Sequence, residues 1–272
     1  MKLNLKHYLT LYFKQENSKM KKGMIGIVGG MGPIAGIDLS RKIVNQTIAG
    51  RDQDHISQIL YSASERIGDR TEYIQGKIQE NPAYAIADII LSLESMGATV
   101  VGLPCNSAHA TNIFGVIVEK LKERQSEIIL LHMIEEVGKF LKTQFPTIKK
   151  VGILGTAGTY QTHQYKQIEK FGFEVLNVSE TMVEEVHQSI YHPVYGIKSV
   201  TDKISEESLV ILYFACNFLI EKGAEVIVLG CTEFPLAFPE KNFKNIPLID
   251  TTLVLARALI KVVDPKKLKS WE

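Results

Sequence analysis

The chain has 272 residues, with 31 lysines and arginines against 30 aspartates and glutamates, a formal net charge of +1, and 45% hydrophobic residues. That balance leaves no broad basic field for nucleic acid or an anionic membrane, and it supplies apolar material for one large core or two ordinary ones. A small-molecule partner and a cytoplasmic location are expected, and the three cysteines fit reduced thiols better than a disulfide framework.

Residues 1–22 contain one short apolar run, Tyr8 to Phe13, interrupted by Thr10. The run is too short to span a bilayer and lacks a small-residue cleavage site, so the segment reads as an N-terminal extension. From Met24 onward, short apolar β-branched runs alternate with longer stretches of helical period, the pattern of parallel sheets covered by helices. Strands are expected at Met24–Gly30, His55–Ala63, Ala98–Pro104, Glu127–Leu131, Lys150–Gly155, Phe173–Val178, Ala224–Gly230 and Ile246–Ile249. Pro33 sits where a helix can start without losing a needed donor, and Asn81-Pro82 opens a helical stretch running to Met96. Asn106 and Thr232 are N-cap residue types, which would set helix amino termini beside the preceding cysteines.

Sliding the chain against itself by 126 positions lays Gly26-Ile27-Val28-Gly29 on Gly152-Ile153-Leu154-Gly155 and Gly97 to Cys105 on Gly223 to Cys231. Two matches at one offset define two homologous halves, and they make Cys105 and Cys231 equivalent positions. The expected fold is α/β, with two pseudo-symmetric Rossmann-like or flavodoxin-like domains, each a mainly parallel sheet flanked by helices, and an active site in the cleft between them. Residues 23–131 form the first half, joined by the C-terminal helix of residues 250–272, and residues 132–249 form the second. Both thiols then lie at strand carboxyl ends, the edge where ligands bind in open α/β sheets.

Two identical groups facing one carbon suit inversion of a stereocentre. A base must take a proton from one face while an acid delivers one to the other, and the roles exchange in reverse. A thiol near neutrality can take either form. Cys216, in the apolar run Leu209–Cys216, has no cysteine counterpart at the offset and belongs to the core. His55, His132, His163, His187 and His192 show no metal-ligand spacing with cysteine or carboxylate, so no metal is expected.

The motifs Gly29-Gly30-Met31-Gly32-Pro33, Arg51-Asp52-Gln53-Asp54-His55, Asp69-Arg70-Thr71, Pro104-Cys105-Asn106-Ser107-Ala108-His109 and Gly230-Cys231-Thr232-Glu233 resemble those of the aspartate/glutamate racemase family, above all its aspartate racemase branch. The resemblance covers roughly Met24 to Val263. It implies a cofactor-independent amino-acid racemase with Cys105 and Cys231 on opposite faces of Cα, and a homodimer. Gly-Met-Gly after the first strand and Glu233 after the second Cys-Thr depart from the Asp-Ser-Gly and His of glutamate racemases, which favours aspartate. On this resemblance Met31, Gly32, Arg70, Asn106, Ser107, Thr232 and Lys198 bind substrate. Arg70 offers a bidentate fork for a carboxylate, its alternative being a surface pair with Asp69 or Glu72. The family's basic residue after Tyr191 is carried over to Lys198, because Tyr195 stands at the usual spacing. Glu233 is carried over as a supporting residue of the site. His109, one turn beyond Cys105, either tunes that thiol or is a structural histidine.

Other chemistries remain open at this point. Glutamate, other amino acids or hydantoins are alternative substrates within the same superfamily. Gly30-Met31-Gly32-Pro33-Ile34-Ala35 also fits the loose G-x-G-x-x-A pattern of a dinucleotide-dependent oxidoreductase, although Pro33 removes a donor from the loop. A non-catalytic amino-acid-binding protein is the third alternative.

Overall fold

The structure, a computed structural model, describes residues 23–199 and 203–271. The extension expected over residues 1–22 lies outside the described residues. In the first half the chain forms Ile25–Gly29 (β1), Pro33–Gln46 (α1), Gln58–Ser62 (β2), Arg70–Ile74 (α2), Ala83–Ser95 (α3), Val100–Gly102 (β3), Thr111–Glu123 (α4) and Ile129–Leu130 (β4). It continues through Met133–Gln144 (α5), Lys150–Gly155 (β5), Ala157–Gln161 (α6), Glu174–Asn177 (β6), Glu180–Tyr191 (α7) and Glu206–Glu221 (α8). Val226–Gly230 (β7), Phe234–Ala237 (α9), Asn242–Phe243 (β8), Ile246–Asp250 (β9) and Thr251–Val263 (α10) complete it.

One sheet has the order β2-β1-β3-β4 and is parallel throughout; the other has the order β6-β5-β7-β9-β8, with only β8 antiparallel. The central strands β1, β3 and β7 are buried at every residue, which is why they read as continuous apolar runs rather than alternating ones. All eight expected strands are present: six are shorter than expected, β5 has the expected bounds and β9 runs one residue further. The unexpected β8 has two residues and little of its own to announce it.

The repeat is exact in the ladders beside the cysteines. Ile25 pairs with Val100 and Gly26 with Val101; Val151 pairs with Val226 and Gly152 with Ile227. Each pair is the other moved by the same 126 positions.

The helices that follow the two sheets trade places. α5 leaves β4 of the first sheet and buries Ile134, Val137 and Leu141 among Val151, Ile153, Tyr165 and Ile168 of the second half. α10 leaves β9 of the second sheet and buries Leu255, Ala256, Leu259 and Ile260 among Ile25, Ile27, Leu39, Ile43 and Val100 of the first. Leu255, Leu259 and Ile260 are fully buried, and each such side chain is worth about 1.5–3 kcal/mol. Asp250 caps α10 by accepting from the Thr252 and Leu253 N–H groups at 2.9 and 3.0 Å. Its other carboxylate oxygen meets Lys42 of α1, which also pairs with Asp38. Among the described residues no helix is long and apolar enough to cross a membrane.

Candidate active site

The loop after β1 turns through Gly30 at φ +93°, where a Cβ would strike the Ser64 amide nitrogen at 2.6 Å, so only glycine fits. This turn delivers Met31 to the cleft, and Pro33 then opens α1 as expected. Across β2, Asp69 caps α2 by accepting from the Glu72 N–H at 2.9 Å. The cap places Arg70 and Thr71 in the first turn, both buried and both facing the cleft.

Cys105 follows β3 and Cys231 follows β7, and the two line one cleft together with Met31, Arg70, Thr71, Asn106, Ser107, Thr156, Tyr191, Lys198, Gly230, Thr232 and Glu233. Its enclosed space is about 20 Å³. A larger cavity of about 240 Å³ lies over β5 and β6, against Tyr160 and Tyr165, but neither cysteine reaches it. The smaller cleft holds the reactive groups.

The two thiols have opposite neighbours. Arg70 is 7% exposed, so the surface pairing with Asp69 or Glu72 does not describe it. Its guanidinium donates to the Met31 carbonyl and, at 3.1 Å, to the Gly68 carbonyl, which holds its charge in the cleft that Cys105 lines. Burial works against the Arg70 charge, but Cys105 and Asp69 outweigh it and hold the guanidinium above its ordinary value. Cys231 donates from Sγ to Glu233 Oε2 at 3.0 Å, and Thr232 Oγ1 donates to the same oxygen at 3.0 Å. Burial first, then the Glu233 charge, push the Cys231 thiol well above its ordinary range, against the pull of Lys198.

Lys198 Nζ lies 3.4 Å from Glu233 Oε1 and 4.9 Å from the centre of the Tyr191 ring. Burial opposes its charge, and Glu233 more than compensates, so the ammonium is raised. Tyr195, at the usual family spacing, instead stacks on His192 at 3.8 Å. Gly32 belongs to this corner as well, since a Cβ there would sit 2.8 Å from Glu233 Oε1.

Two expectations are corrected. Asn106 and Thr232 do not cap helices. Cys105 is followed by a four-residue 3-10 turn, Asn106–His109, and α4 starts later with Ala110 at its N-cap; after Cys231 the N-cap of the four-residue α9 is Glu233. Such short elements align few peptide dipoles, so neither of the two turns that follow the cysteines presents a full helix terminus to its thiol. The Asn106 side chain is taken by stronger partners: its Oδ1 accepts from Tyr165 Oη at 2.5 Å and its Nδ2 donates to Thr251 Oγ1 at 3.4 Å. These bonds tie the residue after Cys105 to the second half. The other correction concerns His109, which does not face Cys105. It is buried against Phe114 and His132, with Nε2 3.1 Å from the Leu103 carbonyl oxygen. Burial, then His132, push it well below the usual histidine range, so it is a neutral structural group.

Cys216 is fully buried in the second core, and burial lifts its thiol to about 12. The residues not anticipated in the cleft are Thr71, Thr156, Tyr191 and Gly230. Thr71 stands inside the Asp-Arg-Thr motif, and Thr156 is the offset counterpart of Gly30, so both carried a signal. Tyr191 arrives from the far end of α7, a placement that only the packing reveals.

Two mainly parallel sheets related by an internal repeat, presenting one thiol each to a shared cleft, define an α/β protein of the pseudo-symmetric two-domain kind. The Asp/Glu/hydantoin racemase family model matches residues 28–259, and the chain belongs to that family. It is 27% identical over 247 residues to the broad specificity amino-acid racemase RacX of Bacillus subtilis, covering 87% of this chain and 96% of that protein. The aspartate racemase of Picrophilus torridus superposes with a TM-score of 0.74 at 31% identity, covering 91% of this chain and 96% of that one. Glutamate racemase from Francisella tularensis, at 17% identity and a TM-score of 0.61 over 93% of this chain and 86% of that one, shares the fold.

Proposed function

We propose that the protein racemises an acidic amino acid, aspartate foremost, without a cofactor, by proton transfer between Cys105 and Cys231. The observation that carries this reading is the convergence of two repeat-related thiols on one cleft that also holds Arg70 and Lys198. One thiolate removes the α-hydrogen, the electron pair stays on Cα, and the opposite thiol protonates the other face. Both groups are 9% exposed, so the carbanion is kept from bulk water. Arg70, anchored by two backbone carbonyls, faces one substrate carboxylate as a preorganised cation. Lys198, Ser107 and Thr232 offer further donors around the cleft.

The Picrophilus relative supports aspartate. A broader substrate range has its own support, because Lys198 already faces the Glu233 carboxylate and is not a free partner for a second substrate carboxylate. The test is incubation of each L-amino acid with the enzyme alone in deuterated water, followed by chiral chromatography and mass spectrometry. The D-enantiomer should form from aspartate with deuterium at Cα. Inversion of neutral amino acids at similar rates would move the reading to the broad range, and no exchange with any amino acid would end it. The assembly proposed with this activity is a homodimer, measurable by sedimentation.

A further inference from the structure

The repeat makes Cys105 and Cys231 equivalent in backbone, yet their immediate partners carry opposite charge. The Arg70 guanidinium shares the cleft wall with Cys105, on its own half, whereas the Glu233 carboxylate accepts from Cys231. We propose that Glu233 is a positioning residue that keeps the proton of the thiol pair on Cys231 in the free enzyme, so that Cys105 is the base that acts first. This rests on the two-thiol reading above and assigns what that reading leaves open, the order in which the thiols act.

The geometry is built for one carboxylate. Glu233 Oε2 accepts from both the Cys231 thiol and the Thr232 hydroxyl, Oε1 faces Lys198, and Gly32 leaves the room that a side chain would fill. Glu233 is 9% exposed, so its field on the adjacent sulfur is weakly screened. The other titratable groups around Cys231 are Lys198, Tyr191 and Tyr165. Burial raises both phenols, Tyr191 to about 12, so they stay neutral and leave Glu233 as the dominant negative neighbour.

In one turnover the Cys105 thiolate takes the α-proton and the Cys231 thiol gives up its own, which leaves a Cys231 thiolate beside a carboxylate. The like charges drive its reprotonation, either from substrate in the reverse reaction or through water, to which Cys105 returns the proton it gained. Because enantiomers have equal free energy in achiral solvent, kcat/KM must remain the same in both directions. The asymmetry therefore appears in kcat and KM separately.

The experiment titrates thiolate absorbance near 240 nm, without substrate, in a Cys105→Ala background, where Cys231 is the remaining thiol in the cleft. Adding Glu233→Gln should lower the Cys231 midpoint by about one pH unit or more. Adding Lys198→Met should raise it, a change of opposite sign that loosened packing would not produce. An unchanged midpoint in the Glu233→Gln protein, or shifts of the same sign in both variants, would overturn the proposal. With both cysteines present, Glu233→Gln should also bring the kcat values for the two enantiomers closer together. The titration needs no substrate, so its outcome is separable from whether any given amino acid is turned over.

Discussion

The first half of the molecule brings Cys105, Arg70 and Met31 to the cleft; the second brings Cys231, Glu233 and Lys198. Their strand ladders coincide under a single shift along the chain, yet the groups beside the sulfurs are a guanidinium in one half and a carboxylate in the other. The comparison separates two things that a repeat can preserve. Backbone register positions the two thiols symmetrically, because parallel pairing depends on apolar side chains that both halves retain. Side chains outside the ladders are free to diverge, so a symmetric scaffold carries an electrostatically lopsided site.

The largest expected effect tests whether both halves take part. Cys105→Ala and Cys231→Ala should each lower racemisation by about 10²- to 10⁴-fold, the range for a lost acid or base, measured by chiral chromatography. Cys216→Ala, inside the second core, should keep turnover. If either cleft variant keeps full activity, the symmetric device is broken.

The helix caps next to the exchanged helices differ too. α5 is capped by His132, whose Nδ1 accepts from the Glu135 N–H at 3.4 Å, and α10 by Asp250. Burial pushes His132 down to about 4. An unfolded histidine titrates near 6.5, so the unfolded chain takes up this proton first. Stability present above about pH 6.5 is lost as pH falls towards 4, on the order of 3 kcal/mol from this residue. Urea midpoints at pH 7 and pH 5 should show the loss, and His132→Asn, which can still cap, should make it shallower. An unchanged slope in that variant would remove His132 from the acid response.

Arg70→Lys keeps the charge in the first half but loses the fork and one carbonyl anchor. A fall in kcat/KM for a dicarboxylic substrate of about 10-fold is expected, mostly in KM. An unchanged KM would take Arg70 out of substrate binding. The smallest effect belongs to the bond that joins the halves. Tyr165→Phe removes the donor to Asn106 and should cost about 1 kcal/mol in denaturant titration.

Much of this arrangement was legible in the residues. The apolar runs betray parallel strands because both faces of each are covered, and the offset pairs the cysteines before any coordinates exist. Lys198 is reached only through the family resemblance, as the nearest lysine once Tyr195 holds the customary spacing, and it lines the cleft. The N-cap reading of Asn106 failed for a specific reason: an Asn side chain takes whichever partners are nearest, and Tyr165 and Thr251 are brought there by the other half. His109 lies one turn from Cys105 in a helix, but the 3-10 turn that forms instead directs it into the core. β8 escaped notice because two residues have no measurable period.

The exchange of α5 and α10 has a consequence for how the molecule is made. Sheet one is encoded before residue 131, but the helix that packs over it, α10, is encoded only after the whole second sheet. Until Leu255, Leu259 and Ile260 arrive, Ile25, Ile27 and Val100 have the cover of Leu39 and Ile43 from α1 but lack what α10 adds. The nascent first half therefore stays incomplete until the second sheet and α10 have been made, and a cut anywhere between the second sheet and α10 strips cover from the half that was translated first.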